Sequence, residues 1–215
     1  MPDLEQLTQE LGQVGTIADP TERLLEAAAI VAEAVADLDI QPVVVGGLAL
    51  AYWTSGEIQT GDIDVVMPRA PQLRDRLAAL GFELRGREWI LPGAEISFEA
   101  PGDVLEPGDQ SEPVELASGR HVLVLSLEDL LLWRLREWIH WHHASGFRQA
   151  AFLLGAEGLD AERLDTRAAV EGLGLALAEL RRLVSDIEGG RVFEGWELVE
   201  IGRKLEAQGY STDHE

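Results

Sequence analysis

The stretch Val43-Val44-Val45-Gly46-Gly47, followed after fourteen residues by Asp62-Ile63-Asp64-Val65-Val66, decides how this chain of 215 residues is read. Three consecutive valines predict a short buried strand. The glycine pair breaks it, and Leu48 to Ser55, rich in alanine and aromatic residues, predicts a short helix. A second strand then carries Ile63, Val65 and Val66. Along a strand, residues i and i+2 share a face, so Asp62 and Asp64 project side by side while Ile63 and Val65 turn to the core. Two adjacent carboxylates repel unless a cation or a proton is shared between them. A glycine pair placed where a strand becomes a helix lets phosphate oxygens approach backbone N–H groups and the positive end of the helix. A cation beside one feature and a phosphate beside the other would complement each other.

Upstream, Asp19-Pro20-Thr21-Glu22 reads as a helix start, with Asp as cap and Pro at the first helical position, and the apolar repeat Leu24, Leu25, Ala28, Val31, Val35, Leu38 carries the helix to about residue 38. Downstream, a helix is expected over Pro71 to Leu80, ended by Gly81, then three or four short strands between Phe82 and Leu125. The segment from Pro101 to Pro113, rich in Gly, Pro and acids, reads as a mobile loop. From Ser126 the period becomes helical, with helices near 145–156, 160–172, 174–188 and 195–208. The fold class that follows is α+β. A mixed sheet flanked by helices occupies residues 1–125, and a C-terminal helical region occupies 126–215.

Composition narrows the chemistry. The chain has 39 acidic and 17 basic residues, a formal charge of −22, and no cysteine. Disulfides, thiolate zinc sites and cysteine nucleophiles are excluded together, leaving carboxylates and histidines as strong metal ligands. Broad binding to duplex DNA is disfavoured, because phosphate backbones are held by clustered Lys and Arg. Nothing approaches the roughly 20 apolar residues of a membrane helix, and Met1 to Glu10 is acidic where a secretory signal would be basic, so a cytoplasmic protein without membrane partners is expected.

The pattern of a hydrophobic residue, Gly46-Gly47, a spacer and Asp62-x-Asp64 resembles the nucleotidyltransferase superfamily over about residues 43–67. Further on, Leu125 to Asp129, Arg134-Leu135, Ile139-His140-Trp141 and Gln149-Ala150 resemble the helical region of small nucleotidyltransferase-like proteins related to abortive-infection toxins. The resemblance implies a nucleotidyltransferase-like mixed sheet, and a magnesium (or manganese) ion held by Asp62 and Asp64. It also implies nucleotide phosphates at the Gly46-Gly47 turn and a third carboxylate on a later strand, and Thr60 is a candidate hydrogen-bond donor to a phosphate. The implied activity is Mg-dependent transfer of a nucleotidyl group from a nucleoside triphosphate to a hydroxyl acceptor that the sequence does not specify.

Two departures from the family pattern favour an alternative. In Glu95-Ile96-Ser97-Phe98-Glu99, the place between two apolar residues is taken by Ser97, so Glu95 or Glu99 must substitute from the same face; Glu99, nearer the acidic loop, is the preferred catalytic acid beside Asp62 and Asp64. Ile58 stands where related sequences carry a basic residue two places before the threonine. The alternative is a catalytically degenerate member that binds nucleotide or a partner protein in a toxin–antitoxin or defence setting. Plainer readings remain beside these: Gly46-Gly47 as a simple turn, Asp62 as a strand terminator, and Thr60 closing its own turn. His140 and His143 read as a helical pair with a structural or surface role, and Trp133, Trp138, Trp141 and Phe147 read as packing residues between the two halves.

Overall fold

The computed structural model describes residues 2–94 and 96–209. They divide into two compact units, residues 1–126 and 127–215. In the first, α1 (Leu4–Leu11) is capped by Asp3, whose carboxylate accepts from the Gln6 N–H. The next helix, α2 (Pro20–Val35), starts as its sequence demands: Asp19 accepts from the Glu22 N–H at 2.8 Å and Pro20 opens the first turn. One 3₁₀ turn (Ala36–Leu38) ends it. The remaining elements are β1 (Val43–Val44), α3 (Gly46–Trp53), β2 (Asp62–Val66), α4 (Leu73–Ala79), β3 (Glu83–Arg85), β4 (Glu88–Leu91), β5 (Ile96–Gly102), β6 (Ser111–Glu115) and β7 (His121–Leu125).

Among the described residues, the seven strands form one mixed sheet in the order β3-β4-β5-β2-β1-β7-β6. Strand β2 runs parallel to β5 and antiparallel to β1, while β1 runs parallel to β7. Five strands therefore lie between Phe82 and Leu125, where the sequence predicts three or four, because β3 and β4 are too short to show a period. The expected loop from Pro101 to Pro113 is shorter: β5 runs through Pro101 to Gly102 and β6 begins at Ser111. Helix α3 begins at Gly46 itself rather than at Leu48, so the glycine pair is its first turn. The core is built from Leu24, Ile30 and Val31 of α2 with Ile63, Val65, Phe98 and Val124 of the sheet, each at most 3% exposed.

One arginine fastens the turn before β7 to the first two helices. Arg120 pairs with Glu10, with Glu26 and, at 3.2 Å, with Glu33, while the Ser118 hydroxyl donates to Glu26 at 2.7 Å. Burial by itself would lower the Arg120 pKa; the hydrogen bonds and charges of Glu26 and Glu33 outweigh it and raise the value.

The second unit comprises α5 (Leu127–His140), α6 (Ala144–Leu154), α7 (Ala161–Val170), α8 (Gly174–Glu188) and α9 (Gly195–Gly209). Trp138 is fully buried; its indole N–H donates to the Leu198 carbonyl at 2.7 Å and its ring meets Phe147 edge-on at 5.0 Å. Trp141, read from sequence as a packing residue, is instead 65% exposed. The histidine pair also differs from its sequence reading, because α5 stops at His140. His142 takes a left-handed φ of 56°, and it is His140 and His142 that approach the Glu206 carboxylate, at 3.3 and 3.1 Å.

Close backbone approach makes a first prediction. A Cβ on Gly202 of α9 would lie 2.8 Å from the Trp138 carbonyl oxygen, and one on Gly146 of α6 would lie 2.7 Å from the Arg134 carbonyl oxygen. In an open helix Gly→Ala stabilises by about 1 kcal/mol. Here the alanine methyl meets backbone that cannot rotate away, and overpacking costs about 1–3 kcal/mol. Gly202→Ala should therefore lower the thermal midpoint, measured by circular dichroism; a higher midpoint would refute the packing described.

Candidate active site

The site is built from the middle of the sheet outward. Ile63 on β2 and its register partner Phe98 on β5 are both fully buried, which fixes the opposite parity for their neighbours. Asp62, Asp64, Ser97 and Glu99 consequently share the other face, with Asp62 level with Ser97 and Asp64 level with Glu99. Neighbouring strands lie about 4.8 Å apart, so Glu99 is the carboxylate set beside Asp64. The register shifts immediately after this pair, from Asp64↔Glu99 to Val66↔Gly102, placing a bulge next to the acids. Glu95 lies outside the described residues.

The glycine turn stands against the same face. Gly46 has φ +60°, a conformation that only glycine adopts without strain, and a Cβ placed on it would come 2.2 Å from Asp64 Oδ2. On Gly47 a Cβ would come 2.7 Å from Thr60 Oγ1. The backbone thus approaches both side chains as closely as the absence of a side chain permits. The Val45 N–H donates to the Asp64 carbonyl at 2.9 Å, locking the turn to the acid-bearing strand. Val45 provides no side-chain cap to α3, and the Ala49 N–H donates to the Val45 carbonyl at 3.2 Å. The N–H groups of the first turn have no intrahelical acceptor, as at any helix start.

Thr60 Oγ1 donates to Asp62 Oδ1. The hydroxyl proton is engaged by a carboxylate, so Thr60 holds Asp62 in place. Asp62 is exposed, whereas Asp64, Ser97 and Glu99 are half-buried. Ile58, also half-buried, follows the α3 helix with its N–H 3.4 Å from Thr54 Oγ1 and brings no positive charge to the site.

A residue missed by the sequence reading continues the row. Because Trp89 pairs with Phe98, Glu88 stands level with Glu99 on the same face, and Arg85 pairs with Glu88 on β3. The open face therefore runs Asp64, Glu99, Glu88, Arg85 across four strands. No local signal marks Glu88, since β4 has no clean alternation.

The donor set suits a hard divalent cation: Asp62 and Asp64 offer oxygen ligands on one face, and Glu99 lies beside them. Among the described residues, no three His, Asp or Glu side chains are already gathered as a metal-binding cluster. The fit is thus that of an open site with two protein carboxylates, completed by oxygens from elsewhere, which is the common arrangement for magnesium with phosphates.

The fold, a mixed sheet in which a glycine turn faces an acidic pair on the next strand, is similar to that of a nucleotidyltransferase-like protein of known structure. Among solved structures, the chain resembles an antigenic nucleotidyltransferase-like protein from Paracoccidioides brasiliensis, with a TM-score of 0.52 and 17% identity over 80% of this chain and 92% of that one. It also matches the antibiotic-resistance factor ANT(2'')-Ia at a TM-score of 0.39 and 17% identity, over 75% of this chain and 94% of that one. Neither a protein-family model nor a curated protein matches the sequence. No helix among the described residues is long and apolar enough to cross a membrane.

Proposed function

We propose that this protein binds a nucleoside triphosphate with a divalent cation and transfers a nucleotidyl group to a hydroxyl acceptor. The observation that carries the reading is the convergence of Asp62, Asp64 and Glu99 on one sheet face with the Gly46-Gly47 turn closed against it. Asp62 and Asp64 are the residues that would hold magnesium or manganese, which when bound neutralises phosphate charge and aligns the phosphates for attack. The first-turn N–H groups of α3, exposed by Gly46 and Gly47, receive phosphate oxygens at the positive end of the helix dipole. Thr60 positions Asp62 through its hydroxyl. Glu99 accepts the proton of the attacking hydroxyl as the new phosphorus–oxygen bond forms and pyrophosphate leaves with the electrons of the broken one.

Label transfer from each nucleoside triphosphate to total cellular RNA, protein and small metabolites tests this. With the acceptor found, Glu99→Gln should lower the transfer rate by about 10²–10⁴-fold and leave nucleotide affinity almost unchanged, the pattern of a group acting in the chemical step. Equal loss of rate and affinity would remove the base role from Glu99.

One observation favours a second reading, in which the protein binds nucleotide or a partner protein without turnover in a toxin–antitoxin or defence setting. Ser97, flanked by the buried Ile96 and Phe98, occupies the place level with Asp62 where the resemblance calls for an acid. A silent wild type together with a gain of transfer in Ser97→Asp would support that reading.

A further inference from the structure

The two edges of the sheet are protected unequally. At β6 the edge carries Pro113, which has no N–H to offer, between Glu112 and Glu115. At β3 the edge is Glu83-Leu84-Arg85, exposed at all three residues, with no proline and no bulge, and Leu84 is a large apolar side chain 40% exposed. Arg85 and Glu88 flank a two-residue turn, Gly86-Arg87, and so form its hydrogen-bonded pair. By the alternation of an antiparallel ladder, the next pair, Leu84↔Trp89, turns its N–H and C=O groups away from the hairpin. Leu84 therefore presents one donor and one acceptor outward from the edge, with no further partner strand among the described residues.

Charge adds a second, independent argument. Over residues 67–92, five arginines (Arg69, Arg74, Arg76, Arg85, Arg87) stand with three acids (Asp75, Glu83, Glu88), and Arg69 and Arg76 pair with Asp103 and Asp37, so this segment with its partners balances at 5 − 5 = 0 in a chain of net charge −22. Two copies of so acidic a protein repel over most approaches, and a near-neutral edge weakens that repulsion. The strand itself is self-complementary. In an antiparallel pairing about a twofold axis through Leu84, Glu83 of each copy stands opposite the partner's Arg85, and Leu84 stands opposite its own copy. Glu83 and Arg85 share a face and already lie 2.9 Å apart within one chain as an exposed pair, which by itself contributes little. Paired across the axis, the four side chains form an alternating ring of charges, and the two Leu84 backbones exchange two hydrogen bonds.

We propose that two copies of this chain associate edge to edge through β3, extending the sheet across a twofold axis at Leu84. An acidic extended peptide meets the edge less well, because it satisfies Arg85 but sets its own acids against Glu83. The edge is short, so the association is of the weak, concentration-dependent class.

Sedimentation equilibrium of the full chain over a hundredfold range of concentration tests the proposal. The wild type should rise toward twice the monomer mass with concentration. Glu83→Arg alone places two arginines opposite two arginines, and Arg85→Glu alone places glutamates opposite glutamates, so each should stay at the monomer mass. An equimolar mixture of the two variants sets the two basic side chains of one edge against the two acidic side chains of the other and should recover the dimer mass. That recovery cannot arise from the pair within one chain, and it also shows that both variants are folded. A wild type that stays monomeric throughout, single variants that dimerise like wild type, or a mixture that stays monomeric while wild type dimerises would each overturn the proposal.

Discussion

Gly46→Ala is expected to abolish magnesium-dependent nucleotide binding, while Gly61→Ala, in the loop before β2, leaves it in place. A methyl group at Gly46 would have to sit 2.2 Å from Asp64 Oδ2, and Gly46 holds φ at +60°, whereas a Cβ on Gly61 meets nothing within 4 Å. The left-handed conformation costs a non-glycine residue about 1–2 kcal/mol, and the collision adds to it. The strain can be relieved only by turning Asp64 away or by moving the first turn of α3, and either removes a partner of the phosphate–cation pair. The measurement is titration calorimetry with ATP and magnesium, alongside thermal melts. Affinity within threefold of wild type in Gly46→Ala would show that the close approach is a packing detail without function.

Asp129→Ala should cause the largest loss of stability in the helical unit. The Asp129 carboxylate is fully buried, accepts from Arg167 Nε at 3.0 Å and pairs with Arg163, which also bonds the nearly buried Glu128 at 2.6 Å. Deleting the carboxylate leaves two guanidinium groups sharing fewer anions in a water-poor site, and removing one member of a buried pair costs about 3–5 kcal/mol. Burial alone would lower the Arg163 pKa, but the charge and hydrogen bonds of Asp129 and Glu128 outweigh it and raise the value. Arginine does not lose its proton near neutral pH whatever its surroundings, so the loss cannot be escaped by deprotonation. Urea unfolding followed by circular dichroism should show an earlier transition; a midpoint shift equivalent to under 1 kcal/mol would contradict the account.

The acidic pair was legible because its signal is local: a two-residue period in Asp62-Ile63-Asp64-Val65 states which side chains face together before any partner strand is known. The glycine turn was legible for the same reason, although its role as the first turn of α3 was not, since glycine reads as a breaker when seen without the carboxylate that packs on it. The alignment of Glu99 with Asp64 rests on a parallel register and a bulge, which are properties of two segments about 35 residues apart and leave no mark on either. Ser97 and Glu99 could be placed on one face from alternation alone, but not level with particular aspartates. Strand β3 was invisible because three residues carry no period, and α1 because its eight residues are mostly polar and its stability comes from Asp3 and two buried leucines, Leu7 and Leu11. The Asp129 ion pairs joined residues more than 30 positions apart, where sequence gives charge but no direction.

The central claim is that the acid-bearing sheet face and the Gly46-Gly47 turn together hold a nucleoside triphosphate with its cation. Calorimetric titration of ATP into wild type and into the Asp62→Asn, Asp64→Asn double variant, each with and without magnesium, tests it most directly. The account predicts that magnesium strengthens binding to wild type by about tenfold or more, because two like charges are relieved at once, and that the double variant loses this dependence. Equal affinity with and without magnesium in the wild type, or binding to the double variant unchanged from wild type, would contradict it.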